Sequence, residues 1–264
     1  MSLIRKTRGR TFRCLFNLIT RLRGVDVRVR REPGSRKLVV SSATESLVFY
    51  HEAQVYYACK RGFARRAELL GQAYLLPLIE FTAGDVVVDC GANVGELKLY
   101  FTHNAIPVEY IGIEPSPLEY DCLKTNVAPS QTFNVGLWNA EGTLDFFVSS
   151  QEADSSFIEP PHYDEIVKVP TKRLDRLLPD KPIKLLKLEA EGAEPEVIEG
   201  CRDILPRIQY ISADIGFERG VKQANTLAPV TNFLLANGFE LVDVGRKRFV
   251  ALYRNMGEAP VSRS

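Results

Sequence analysis

The chain has 264 residues, 45% of them hydrophobic and 25% charged, enough apolar material for one enzyme-sized core and no disordered signature. A formal charge of +1 conceals an asymmetry: Arg5, Lys6, Arg8, Arg10, Arg13, Arg21, Arg23, Arg28, Arg30 and Arg31 face only Asp26 and Glu32, and the rest is acidic. Five scattered cysteines without a C-x-x-C pair exclude a disulfide framework and a zinc site, and no apolar run approaches the roughly 18 residues of a membrane span, so a cytoplasmic protein is expected.

Phe12, Leu15, Phe16, Ile19 and Leu22 recur at helical spacing among arginines. Such a basic helix can dock on its own domain, make a homodimer contact or touch an anionic membrane surface, and docking or dimer contact is the favoured reading. Val25, Val27 and Val29 alternate with polar residues, and Pro33-Gly34 turns the chain into Leu38-Val39-Val40, which predicts a β-hairpin. Residues 1–43 thus form a basic extension, and residues 44–264 the main domain. From Thr44 to Phe81 the pattern is helical, with Ala67, Leu70, Tyr74 and Leu78 on one face and Pro77 breaking the last turns.

Val86-Val87-Val88-Asp89-Cys90 then reads as a central parallel strand buried on both faces. Gly91 and Gly95 allow a tight turn, and the helix expected from Glu96 turns its N-terminal amides to the same space. About twenty residues on, Tyr110-Ile111-Gly112-Ile113 ends in Glu114, where a carboxylate can accept hydrogen bonds from two ribose hydroxyls. A dinucleotide would need glycine at the second and third places of G-x-G-x-x-G, held here by Asn93 and Glu96, so the pattern points to S-adenosylmethionine.

Beyond Glu114 the sequence predicts a helix over Leu118–Asn126, strands near Phe133–Val135 and Leu144–Val148, and a polar loop from Ser149 to Glu165. A buried strand over Ile183–Leu188, a helix over Pro195–Leu205, a strand over Ile208–Ala213 and a helix over Leu227–Asn237 follow. Phe239–Val244 and Arg248–Tyr253 close the chain as a hairpin around Gly245-Arg246-Lys247.

Val87 to Glu96, Glu114-Pro115, Asn134 to Trp138, Asp154 to Phe157 and Leu186 to Glu194 together resemble the FkbM family of S-adenosylmethionine-dependent methyltransferases, over roughly Gly84 to Gly216. The alternation of strands and helices, in keeping with this resemblance, predicts a Rossmann-like class I methyltransferase: an α/β fold with a seven-stranded, mainly parallel sheet and an antiparallel C-terminal hairpin strand, to which an N-terminal helix and β-hairpin extension, outside the resemblance, is added. The resemblance implies that Asp89, Gly91, Asn93 and Gly95 surround the methionine part of the cofactor, that Glu114 holds the ribose, and that Leu137 and Trp138 border the adenine. Where the family has Lys-Ile-Asp-Val-Glu-Gly, this chain has Lys187-Leu188-Glu189-Ala190-Glu191-Gly192, one methylene longer at Glu189.

Methyl transfer to a hydroxyl needs alignment and removal of a proton. Glu189 and Glu191, at the carboxyl end of a central strand, are the leading candidates, with His162 in the polar loop as a third. Glu194 is expected to complement a helix dipole. Asp214 could face Glu189 across a magnesium ion, but two carboxylates are thin ground and no metal is assigned. His51 and His103 have no chemical context.

The resulting expectation is an O-methyltransferase acting on a hydroxyl of a sugar, glycan or secondary metabolite. The alternatives are a nucleic-acid methyltransferase and a non-catalytic S-adenosylmethionine-binding protein. Pro160-Pro161-His162-Tyr163 resembles a base-methylation signature but lies away from the end of the fourth strand, so nucleic acid is a disfavoured partner.

Overall fold

The computed structural model describes residue 4 and residues 7–149, 155–178, 180–246 and 248–257. Arg5, Lys6, Asp154 and the Lys247 of the expected hairpin turn lie outside the described residues.

Helix α1 (Gly9–Leu22) leads into three antiparallel strands, β1 (Arg28–Arg31), β2 (Leu38–Ser41) and β3 (Ser46–Phe49). Phe12 and Phe16 of α1 are buried against Val27, Val29, Val40 and Phe49, each ring contributing about 2–3 kcal/mol by leaving water. The basic helix therefore docks on its own chain, with Leu18 and Leu22 left exposed.

The helical pattern expected from Thr44 is overturned at its start, because Ser46–Phe49 is a strand. Leu47 and Phe49 enter the core while Val39 pairs with Val48, so cross-strand pairing with β2 overrides a helical period that was weak over four residues. Helices α2 (Glu52–Cys59) and α3 (Phe63–Ala73) follow, and Pro77 sits in a single 3-10 turn over Leu76–Leu78.

The main sheet begins with β4 (Val86–Cys90), β5 (Glu109–Ile113) and β6 (Gln131–Phe133), separated by helices α4 (Lys98–His103) and α5 (Pro117–Asn126). Pro117 at the first position, Glu119 in the first turn and Lys124 in the last suit α5 to its place. A side sheet of β7 (Gly136–Leu137), β8 (Gly142–Val148) and β9 (Glu165–Lys172) interrupts the alternation. After the short helix α6 (Leu174–Leu177), the main sheet resumes with β10 (Ile183–Leu188), α7 (Glu194–Glu199), β11 (Ile208–Asp214), α8 (Leu227–Ala236), β12 (Phe239–Val244) and β13 (Val250–Asn255).

Its seven strands run β12-β13-β11-β10-β4-β5-β6, with β13 alone antiparallel to its neighbours. This is the Rossmann-like arrangement expected. Val88, Ile111, Leu186 and Leu188 face α7 and α8, whereas Val87, Tyr110 and Leu185 face Leu70 and Phe101 on the other side, so the sheet is buried on both faces. The strand order reverses between β4 and β10, which opens a crevice at their carboxyl ends.

Other boundaries shift. α4 starts at Lys98 instead of Glu96, α7 stops at Glu199 well before Leu205, and β9 replaces what reads as loop and connection. Gly200, in a right-handed helical conformation just after α7, is glycine for a packing reason: a Cβ there would lie 2.1 Å from the Trp138 carbonyl oxygen, so α7 ends backbone to backbone against the segment after β7. No helix among the described residues is long and apolar enough to cross a membrane.

Candidate active site

The turn after β4 is left-handed at Gly91, Asn93 and Gly95, with φ of +68°, +49° and +86°. The two glycines do more than clear a path for a ligand. A Cβ on Gly91 would lie 1.9 Å from the Glu189 carbonyl oxygen, and one on Gly95 would lie 2.4 Å from Val127 of the segment ending α5. Missing side chains thus clamp the turn between the end of β10 and α5. Asn126 completes the clamp: its Nδ2 donates to the carbonyls of Val48 at 2.9 Å and Val94 at 2.8 Å, and its Oδ1 accepts from the Val48 amide at 2.7 Å.

Beneath the turn lies a buried lysine. Lys187 is 3% exposed and donates to the carbonyls of Cys90 at 3.1 Å and Gly91 at 2.7 Å, while its Nζ is 2.9 Å from Asp89 Oδ1. Burial alone would lower the Lys187 ammonium, and the charge of Asp89, joined by Tyr74, by the hydrogen bond to Asp89 and by Cys90, reverses this and raises it above its ordinary value. The second Asp89 oxygen accepts the Tyr110 hydroxyl. Asp89 therefore faces into the sheet as much as toward a ligand.

Glu189 stands at the end of β10 among three partners. It accepts hydrogen bonds from the Tyr74 hydroxyl and the Arg248 guanidinium, and Lys187 Nζ lies 3.1 Å from its Oε2. Arg248 also reaches Asp214 Oδ2 through Nε at 2.6 Å. A guanidinium thus bridges the two carboxylates between which the sequence raises a magnesium ion.

Two cavities open on this region and share Gly91, Asn93 and Glu189. The first runs between Glu114 and the side sheet, with Leu137, Phe146 and Phe157 as apolar wall and Glu191 on its rim. Glu114 is held by the amides of Asn93 and Ser116, each at 2.8 Å. Burial, reinforced by the charge of Glu119, pushes its carboxyl up to about 8. Burial would raise Glu119 as well, but hydrogen bonds from His51 and Ser116 outweigh it and leave that carboxyl below its ordinary value. The second cavity lies between α2, α3 and the turn, and carries Asp89, Glu96, Arg66, Lys187 and Arg248.

Asp89, Gly91, Asn93, Glu114, Leu137, Glu189 and Glu191 line one or both cavities. Gly95 lines neither, being turned against α5. Trp138 also lines neither, and backs Phe157 with ring centroids 5.7 Å apart. His162 is exposed and lines neither cavity. Glu194 is buried and accepts the amides of Ala190 at 2.8 Å and Gly192 at 3.2 Å, so it braces the loop after β10.

A family model described as the methyltransferase FkbM domain matches residues 89–241. The chain belongs to the FkbM methyltransferase family. Methyltransferase sdnD of Sordaria araneosa is 30% identical over 189 residues, covering 50% of this chain and 73% of that protein. The 31-O-demethyl-FK506 methyltransferase FkbM of Streptomyces tacrolimicus is 24% identical over 244 residues, or 77% of this chain and 92% of that one. The 2-O-methyltransferase NoeI of Sinorhizobium fredii is 25% identical over 148 residues, or 48% and 61%. Among solved structures, the N-terminal domain of human METTL16 in complex with SAH superposes with a TM-score of 0.43 at 13% identity, covering 93% of this chain and 82% of that one.

S-adenosylmethionine is the cofactor of this FkbM domain. The residues present fit it: the first cavity offers a buried carboxylate for a ribose and apolar walls for a base. Phe157 presses on Gly136, where a Cβ would lie 2.2 Å from the ring, so the side sheet brings that ring to the wall.

Tyr74, Lys187, Arg248, Ser116 and Glu119 are missing from the sequence reading of the site. Only Lys187 announces itself, as a charge inside a strand expected to be buried on both faces. Glu119 reads as an ordinary first-turn acid of α5, and Arg248 as a hairpin residue.

Proposed function

We propose that this chain transfers the methyl group of S-adenosylmethionine to a hydroxyl of a sugar, glycan or secondary metabolite. The position of Glu189 at the seam of two cavities carries the reading, because one carboxylate there reaches both a donor space and an acceptor space. Relatives whose names specify 31-O and 2-O methylation support oxygen as the atom methylated.

The bound cofactor supplies an activated methyl group on a sulfonium. Glu114 accepts the ribose hydroxyls, Leu137 with Phe157 borders the base, and Asp89, Gly91 and Asn93 enclose the methionine end. Glu189 orients the acceptor hydroxyl and accepts its proton as the methyl is transferred. Tyr74 and Arg248 fix its two oxygens, which preorganises the carboxylate. Glu191 is the second candidate, from the rim of the first cavity. His162 has no part in the proposal.

The test is methyl transfer from labelled cofactor into fractionated glycan and metabolite extracts, alongside calorimetric binding of S-adenosylhomocysteine. Glu189→Gln should keep affinity within a small factor while turnover falls by about two to four orders of magnitude. Glu189→Asp, which restores the residue usual in the family, should recover a substantial part of it. If affinity, melting temperature and turnover fall together in both variants, Glu189 only braces the turn and the assignment is lost.

A further inference from the structure

Helices α1 and α2 start side by side, since the Gly9 amide donates to Glu52 Oε1 at 2.7 Å. Between these two starts and the β1–β2 turn lies a hollow of about 520 Å³ lined by Arg8, Arg13, Arg31 and Arg36. Among the described residues, Glu52 is the one carboxylate in its lining, and it is engaged by Gly9. Arg31 Nε donates to the Ser35 carbonyl at 2.8 Å, whereas Arg13 and Arg36 have no hydrogen-bond or ion-pair partner among the described residues.

Four guanidinium groups around one hollow repel each other, and an entering anion relieves that repulsion. Arginine forks match the several acceptor oxygens of a phosphoryl group. First-turn amides of the 14-residue α1 add partial positive charge. The cationic side chains come from α1, β1 and the β1–β2 turn and converge on a concavity, which suits a discrete phosphate better than a flat bilayer surface.

The location ties the hollow to the active site. Ala53 lines both the hollow and the second cavity, and His51, in the hollow, places Nε2 3.2 Å from Glu119 of the first cavity. The start of α2 is therefore the wall between them. S-adenosylmethionine carries no phosphate, so a phosphate site beside its cradle serves another molecule. We propose that the arginine hollow binds a phosphate or pyrophosphate group of the acceptor, which makes the acceptor a phosphorylated or nucleotide-linked molecule whose hydroxyl reaches Glu189. That last step rests on the O-methyl transfer reading, whereas the anion site stands without it.

The test uses the full chain and inorganic pyrophosphate, titrated calorimetrically at about 150 mM salt, where exposed charges are screened. Saturable one-to-one binding is expected, and Arg13→Gln/Arg36→Gln should weaken it about tenfold or more through lost charge-assisted hydrogen bonds. The control Arg10→Gln/Arg21→Gln, exposed on α1 outside the hollow, should leave it within about a factor of two. S-adenosylhomocysteine affinity should be unchanged in both pairs, so failure here is distinct from failure of the methyltransferase reading. Absence of saturable binding, or equal weakening by the control pair, overturns the proposal. Cosedimentation with vesicles of about 30% phosphatidylglycerol in phosphatidylcholine separates the two phosphate sources. Pyrophosphate binding with no vesicle binding through Arg13 and Arg36 supports the acceptor phosphate, while vesicle binding that pyrophosphate displaces and Arg13→Gln/Arg36→Gln abolishes assigns the hollow to a lipid headgroup and overturns the proposal.

Discussion

Glu114 holds its proton to about 8 because its carboxyl is buried and Glu119 lies close by. Between its ordinary 4.5 and about 8, the folded chain keeps a proton that the unfolded chain has lost, so this group's contribution to stability is full at low pH and disappears as pH rises through that window. Ribose hydroxyls donate best to the ionised form. S-adenosylhomocysteine affinity should therefore increase from about pH 6 to about pH 9 in the wild type. Glu114→Gln should flatten the profile and weaken binding about tenfold at the upper end, as calorimetry at several pH values would show. An equally steep profile in the variant would place the titrating group elsewhere. Lys187 makes a second prediction at this scale. Lys187→Met strands Asp89 in the sheet and should cost about 3–5 kcal/mol in urea unfolding, while adding Asp89→Asn should return part of it. Glu114 and Glu189 are legible in the sequence because each ends an apolar strand, where ligands gather. Tyr74 and Arg248 are not, since they reach Glu189 across 115 and 59 residues of chain and only the folded path joins them.

Between elements, the close contact of the β4 turn with β10 sets the tolerance of the cradle. Gly91→Ala would drive a methyl group into the Glu189 carbonyl, a backbone atom that cannot rotate away, on top of the left-handed conformation. Gly84 has a similar φ of +86° but open space around it. Thermal unfolding should show Gly84→Ala costing about 1–2 kcal/mol and Gly91→Ala clearly more, with loss of S-adenosylhomocysteine binding in the latter alone. Similar costs would mean that the end of β10 moves freely. β4 and β10 are readable to the residue because a strand buried on both faces is apolar at most positions, Val86, Val87 and Val88 in one and Ile183, Leu185, Leu186 and Leu188 in the other. β3 and β9 are not, because each is short or half exposed and is defined by its pairing partner. In β9, Pro170 and exposed Ile166 and Lys168 hide the buried Val169 and Thr171.

Over the whole molecule, Asn126 ties the N-terminal sheet through Val48 and the cradle through Val94 to one side chain on α5. Asn126→Ala leaves these part-buried backbone groups without this partner and should destabilise the chain by about 1–3 kcal/mol. Hydrogen exchange should show Val48 and the segment around Val94 losing protection together. Protection lost at Val48 alone would mean that the layers are independent. Arg248 shows the same long reach from the other end, because it closes on Glu189 and Asp214 from the turn that joins the last two strands. A ribosome delivers that turn late, after β4, β5 and β10 have emerged and can begin to associate. A nascent chain arrested before residue 248 would therefore present a cradle lacking the guanidinium that fixes Glu189, and the site would be complete only once the β12–β13 hairpin had left the exit tunnel and folded back.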